Sequence, residues 1–126
     1  MSAIKNALSF CDLLQIGDFI LEVTPHDKIE IGQLQADEYL AFLRNLSQPV
    51  AILLNRKNRY SYTFEALGSI AQSENVVALA VLLGKQSDHA KVEYLAGLMQ
   101  ARFPTQNFID RQAALLWLQA FAKGDL

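Results

Sequence analysis

The chain of 126 residues is long enough for one domain that removes about two-thirds of its unfolded surface from water, and residues 1–126 are read as that single domain. Its residues are 52% hydrophobic and 19% charged, against roughly 45–50% and 25% in soluble domains, which leaves apolar surface for a ligand or partner. A net charge of −2 gives no general attraction to phosphate backbones, which argues against nucleic acid as a partner, and one cysteine with two histidines excludes an internal disulfide and a zinc shell.

Along the chain, residues 1–8 lack the continuous apolar core of a signal peptide. No apolar run approaches the ~20 residues needed to span a bilayer. The expectation is a soluble cytoplasmic protein, with peripheral contact at the inner membrane surface left open. Residues 9–15 and 18–24 are strand-like runs joined by Gly17-Asp18, which predicts a hairpin because glycine accepts positive φ. The second run, rich in Phe19, Ile20, Leu21 and Val23, is placed next to the central strand, and the first at the sheet edge. Cys11 on that edge strand reads as a small apolar filler, since nothing basic nearby activates it.

Thr24-Pro25-His26-Asp27-Lys28 is a turn, and Ile29-Glu30-Ile31 extends a strand briefly before Gly32. His26 beside Asp27 has the composition of an acid/base pair, but a Pro/Asp turn is also where a solvated histidine sits. In residues 36–46 the spacing of Tyr39, Leu40, Phe42, Leu43 and Leu46 predicts an amphipathic cover helix with Asp37 and Glu38 in its first turn. Pro49 then opens a continuously apolar strand, Val50-Ala51-Ile52-Leu53-Leu54. A basic, aromatic loop follows, and Thr63 is the predicted N-cap of a helix whose face is Phe64, Leu67, Ile70 and Ala71.

The run Val76-Val77-Ala78-Leu79-Ala80-Val81-Leu82-Leu83 carries no charge and is closed by Gly84-Lys85. It reads as the central strand, buried on both faces of a parallel sheet. Next comes a predicted helix capped by Gln86-Ser87-Asp88, with His89 in its first turn, a stripe of Val92, Leu95, Ala96, Met99 and Phe103, and Pro104 ending it. Asn107-Phe108-Ile109 is a short strand. Asp110 caps a last helix over 111–122, with Ala114, Leu115, Leu118 and Phe121 on one face, Trp117 beside it and Gly124 marking its end. Strands alternating with helices argue a layered α/β fold with right-handed crossovers.

This order, and most of all Val77-Ala78-Leu79-Ala80-Val81-Leu82-Leu83-Gly84-Lys85 followed by Asn107-Phe108-Ile109-Asp110-Arg111-Gln112-Ala113-Ala114-Leu115-Leu116-Trp117-Leu118, resembles the SpoIIAA-like group of STAS domains over residues 8–122. It is closer to the uncharacterised STAS/CRAL-TRIO-like bacterial group than to anti-sigma factor antagonists proper. The resemblance implies a mixed, mostly parallel sheet of four to five strands flanked by helices, without enzymatic activity. It also implies regulatory protein partners in the wider group and lipid binding in the related CRAL-TRIO fold. The family's phosphorylatable Ser lies in an Asp-Ser-Ser/Thr-Gly-Leu stretch. Here the corresponding Arg59-Tyr60-Ser61-Tyr62-Thr63-Phe64-Glu65 lacks the Asp and the Gly, leaving Ser61 or Thr63 as stand-ins. A tryptophan carried by many relatives has no counterpart in Asp88-His89-Ala90-Lys91.

Open α/β sheets bind ligands outside the carboxyl ends of their parallel strands, which brings the loops over 55–63 and 84–88 together. Arg56, Lys57 and Arg59, with Tyr60 and Tyr62, have the chemistry to hold an anionic head group by charge and stacking. The alternative is a solvated loop whose tyrosines pack down on the sheet. Three functions remain in order: a module for a lipid or other amphiphilic ligand or for a membrane surface, a protein-interaction regulator, and an enzyme. No paired nucleophile and base, phosphate loop or carboxylate cluster supports the enzyme, and no cofactor is called for. A homo-oligomer is compatible with all three.

Overall fold

The computed structural model describes residues 5–83 and 101–122. β2 (Cys11–Ile16) and β3 (Ile20–Pro25) form the predicted hairpin, with Cys11 opposite Pro25 and Ile16 opposite Ile20. Gly17 turns the chain at φ 64, a left-handed conformation that a side chain disfavours. The first hairpin strand is not the edge, because β1 (Lys5–Ala7) pairs antiparallel outside it. A three-residue, partly polar segment carries too little periodicity to announce a strand.

β5 (Val50–Asn55) runs parallel between β3 and β7 (Val76–Leu82), and β8 (Thr105–Phe108) runs parallel beyond β7. The sheet order is β1-β2-β3-β5-β7-β8. β3 therefore neighbours β5 rather than β7, since each crossover advances the sheet by one strand. The expected mixed, mostly parallel sheet is present, and the short β1 extends its five longer strands to six. β8 starts two residues earlier than the predicted strand, directly after Pro104, and leaves Ile109 outside it and exposed.

Strand alternation sorts the apolar residues into two layers. Leu21, Val23, Ile52, Leu79 and Val81 face α1 (Gln33–Arg44) and α2 (Phe64–Ala71), which bury Ala36, Tyr39, Leu43 and Ala66 against them. Ile20, Ala51, Leu53, Ala78 and Ala80 face α3 (Arg111–Ala122), which buries Ala114 and Leu118. The three small alanines on β5 and β7 let α3 approach closely. Asp110 caps α3 as predicted, accepting from the Ala113 N–H at 3.1 Å.

α1 starts three residues before its predicted position, so Asp37 and Glu38 fall outside its first turn. The Gln35 side chain supplies the missing cap by accepting from the Gly32 N–H at 2.9 Å. Thr63 caps α2 as predicted, its hydroxyl accepting from the Ala66 N–H at 3.1 Å. Phe64, assigned to α2's buried face, is exposed, because the first position of the helix projects beyond the sheet. Phe103 is buried from a bend rather than from a helical stripe. The helix predicted from 86, with His89, Val92, Leu95, Ala96 and Met99, the closing Gly84-Lys85 and the terminal Gly124 lie outside the described residues.

Candidate functional site

β5 ends at Asn55, and the segment after it is held on both sides. The Arg56 N–H donates to the Leu82 carbonyl at 3.0 Å, the Asn58 amide to the Pro25 carbonyl at 2.9 Å, and the Arg59 N–H to Asp27 Oδ1 at 2.9 Å. Tyr60–Tyr62 is then a strand, β6, paired in parallel with β4 (Ile29–Ile31) in a separate two-stranded sheet. This corrects the reading of 56–63 as one loop. The strand period places Tyr60 and Tyr62 on one side and Ser61 on the other, exposed.

Tyr60 and Tyr62 line an apolar cavity of about 70 Å³ together with Arg56, Tyr39, Ile52, Leu79, Val81, Phe103 and other residues between the sheet, α1 and α2. Their rings meet edge to face, with centroids 5.4 Å apart at 80°. The Arg56 guanidinium carbon stands 5.1 Å from the centre of the Tyr60 ring, within cation–π range. Arg56 is the one charged side chain among the described lining residues.

Two buried polar groups here, the Tyr60 hydroxyl and Arg56 Nε, make no hydrogen bond of good geometry, although the Tyr62 hydroxyl and the Arg56 guanidinium lie close enough to Tyr60 to act on its phenol. A buried polar group left fully unpaired costs about 1–3 kcal/mol, so a better-aligned partner is favourable at both. Burial pushes the Tyr60 phenol above its ordinary range against the pull of the Arg56 charge, and burial also raises Tyr62 and Tyr39. All three therefore stay neutral donors near pH 7.

Of the five predicted ligand residues, the structure gathers Arg56, Tyr60 and Tyr62 around the cavity and leaves Lys57 and Arg59 exposed outside it. The Thr63 hydroxyl is occupied as the α2 cap, whereas Ser61 is free on the surface. Tyr39, Phe103 and Thr105 were not predicted as lining residues. A tyrosine within a leucine-rich helix stripe was the available signal for Tyr39, and no local pattern marks the other two.

The opposite face carries a second polar cluster, and it is satisfied. Glu22 on β3 is buried, and Arg111 at the start of α3 grips it with two hydrogen bonds of 2.8 and 2.6 Å while the Asn55 amide donates a third at 2.9 Å. Burial raises the Glu22 carboxyl, but the bonds from Arg111 and Asn55 outweigh it and the net shift is downward. His26 pairs with Asp12 at 3.2 Å rather than with Asp27, whose carboxylate instead accepts from Arg59. Cys11 is fully buried, and its thiol is pushed up to about 12 by burial and by the Glu38 charge. Among the described residues no three His, Cys, Asp or Glu side chains come together, and no helix is long and apolar enough to cross a membrane.

A hairpin leading into parallel strands, with α1 and α2 on one face and α3 on the other, is a SpoIIAA-like fold. The structure is similar to that of an uncharacterised protein of the DUF3478 family with a SpoIIAA-like fold from Shewanella loihica PV-4, with a TM-score of 0.54 and 13% sequence identity, covering 93% of this chain and 92% of that one. At that identity the likeness establishes fold alone. No family model and no curated protein matches the sequence.

Proposed function

We propose that this protein is a non-enzymatic binding module whose cavity takes a small apolar or amphiphilic anionic ligand. The observation that carries the reading is the pairing of the Arg56 guanidinium and the Tyr60 hydroxyl, neither with a well-aligned hydrogen bond at Nε or Oη, in an otherwise apolar cavity. An apolar pocket with few convergent polar groups is the usual form of a small-molecule site. Titrating isotope-labelled protein with small amphiphilic acids, alcohols and amides tests it. Saturable methyl shifts at Ile52, Leu79 and Val81 are expected, and their absence across the panel overturns the proposal.

Membrane association belongs to different residues. Lys57 and Arg59 are exposed, and each cation near an anionic bilayer contributes roughly 1 kcal/mol, so replacing both with Gln should weaken vesicle co-sedimentation about 30-fold. Failure of the wild-type protein to sediment with phosphatidylglycerol vesicles at low salt removes this arm and leaves the cavity untouched. A second reading, a protein-interaction regulator of the anti-sigma factor antagonist type, is favoured by the exposure of Ser61. Phosphorylation of Ser61 that changes partner binding would support it.

A further inference from the structure

We propose that the cavity recognises a short-chain monocarboxylate, with its carboxylate on Arg56 and the Tyr60 hydroxyl and its apolar body against Ile52, Leu79, Val81 and Phe103. This rests on the binding reading above and narrows it in charge, head-group shape and size.

Charge comes first. Arg56 is the one charged side chain among the described lining residues, so one negative charge is balanced in apolar surroundings and a second is not. A phosphate dianion is disfavoured for that reason. The two polar groups then set the head. Arg56 Nε is a donor only and the Tyr60 hydroxyl can donate or accept, and a carboxylate offers two acceptor oxygens that satisfy both as donors. An alcohol can give its proton to the Tyr60 oxygen, but it gains only a neutral hydrogen bond where a carboxylate gains a charge-assisted one from Arg56. The Tyr60 phenol is held protonated by burial, which keeps it a donor. Arg56 lies over the Tyr60 ring, an arrangement that restrains the guanidinium before a ligand arrives.

Size comes last. A volume of about 70 Å³ is under half of the roughly 150 Å³ at which an apolar cavity admits benzene, which suits a short-chain body and neither a ring nor a whole acyl chain.

The test compares butyrate, butanol, butyl phosphate and palmitate by calorimetry and by methyl shifts on the intact protein. A hydrogen bond to a charged group predicts at least about tenfold tighter binding of the acid than of the alcohol. Arg56→Gln should erase that preference. Tyr60→Phe should weaken the acid about fivefold while leaving the thermal midpoint unchanged or raised, since it removes a buried hydroxyl that makes no well-aligned hydrogen bond. Equal binding of acid and alcohol overturns the carboxylate assignment and leaves the cavity reading standing. Tighter binding of butyl phosphate overturns the charge argument, and tighter binding of palmitate overturns the size argument. No binding by any of the four overturns both this inference and the reading beneath it. A lowered midpoint in Tyr60→Phe with unchanged acid affinity assigns the hydroxyl a structural role and overturns its place in the site.

Discussion

The two faces of the sheet bury polar groups in opposite ways. On the α3 face, Glu22 is one of the two buried polar or charged residues of the described chain, and Arg111 and Asn55 supply its bonds above a layer of alanines closed by Ala114 and Leu118. On the α1/α2 face, larger side chains leave a cavity, and the Tyr60 hydroxyl and Arg56 Nε make no well-aligned hydrogen bond. A buried polar group whose bonds are all made holds a fold together, whereas one left unmade in a cavity marks where something else can bind. The difference separates a structural cluster from a candidate site without any appeal to residue type, since each contains an arginine.

The contrast can be broken most strongly at Leu118. It is fully buried in the packed face, so Leu118→Ala should cost about 2–5 kcal/mol in urea unfolding, a transfer loss plus a new cavity. Arg111→Ala comes next. It strands a buried carboxylate, a change worth about 3–5 kcal/mol for a fully buried pair, and about 2–3 kcal/mol here because 44% of the Arg111 side chain stays in water.

That pair also sets a pH signature. The folded Glu22 pKa is lowered, so its stabilisation is full above the ordinary carboxylate range and is lost as pH falls below it through the depressed folded value. Wild type should therefore lose more stability than Glu22→Gln on acidification from neutral pH, and parallel curves would remove the pair from the account.

A smaller effect distinguishes the faces by volume. Ala80→Leu forces methylenes into the alanine layer and should cost about 1–3 kcal/mol, whereas Ile70→Phe, next to the cavity, should stay within about 1 kcal/mol of wild type by thermal unfolding. Equal costs would mean that the cavity is not open space. The smallest effect is chemical: Cys11, buried and with its thiol raised to about 12, should resist alkylation by iodoacetamide until the protein unfolds.

Much of this architecture was legible along the chain. The uncharged run over 76–83, the Pro49 strand start, the Gly17 turn and the Thr63 and Asp110 caps all appear where local pattern places them, because burial on both faces, fixed φ and orphan helix N–H groups are short-range demands. The alternating Tyr60-Ser61-Tyr62 also carried a strand signal, masked by the cations before it.

Tertiary structure decided pairing and partnership. Nothing near Glu22 in the chain announces Arg111, 89 residues away, and nothing near Tyr60 announces that its hydroxyl makes no well-aligned hydrogen bond. Likewise the sequence gathers Arg56, Lys57 and Arg59 into one basic loop, but strand alternation and the bonds to Pro25 and Asp27 decide that Arg56 reaches the cavity while the other two face water. The chain determined which residues carry charge, ring and apolar bulk, through local periodicity and capping. Which of those groups are satisfied depends on contacts between distant strands and helices, and packing alone settles that.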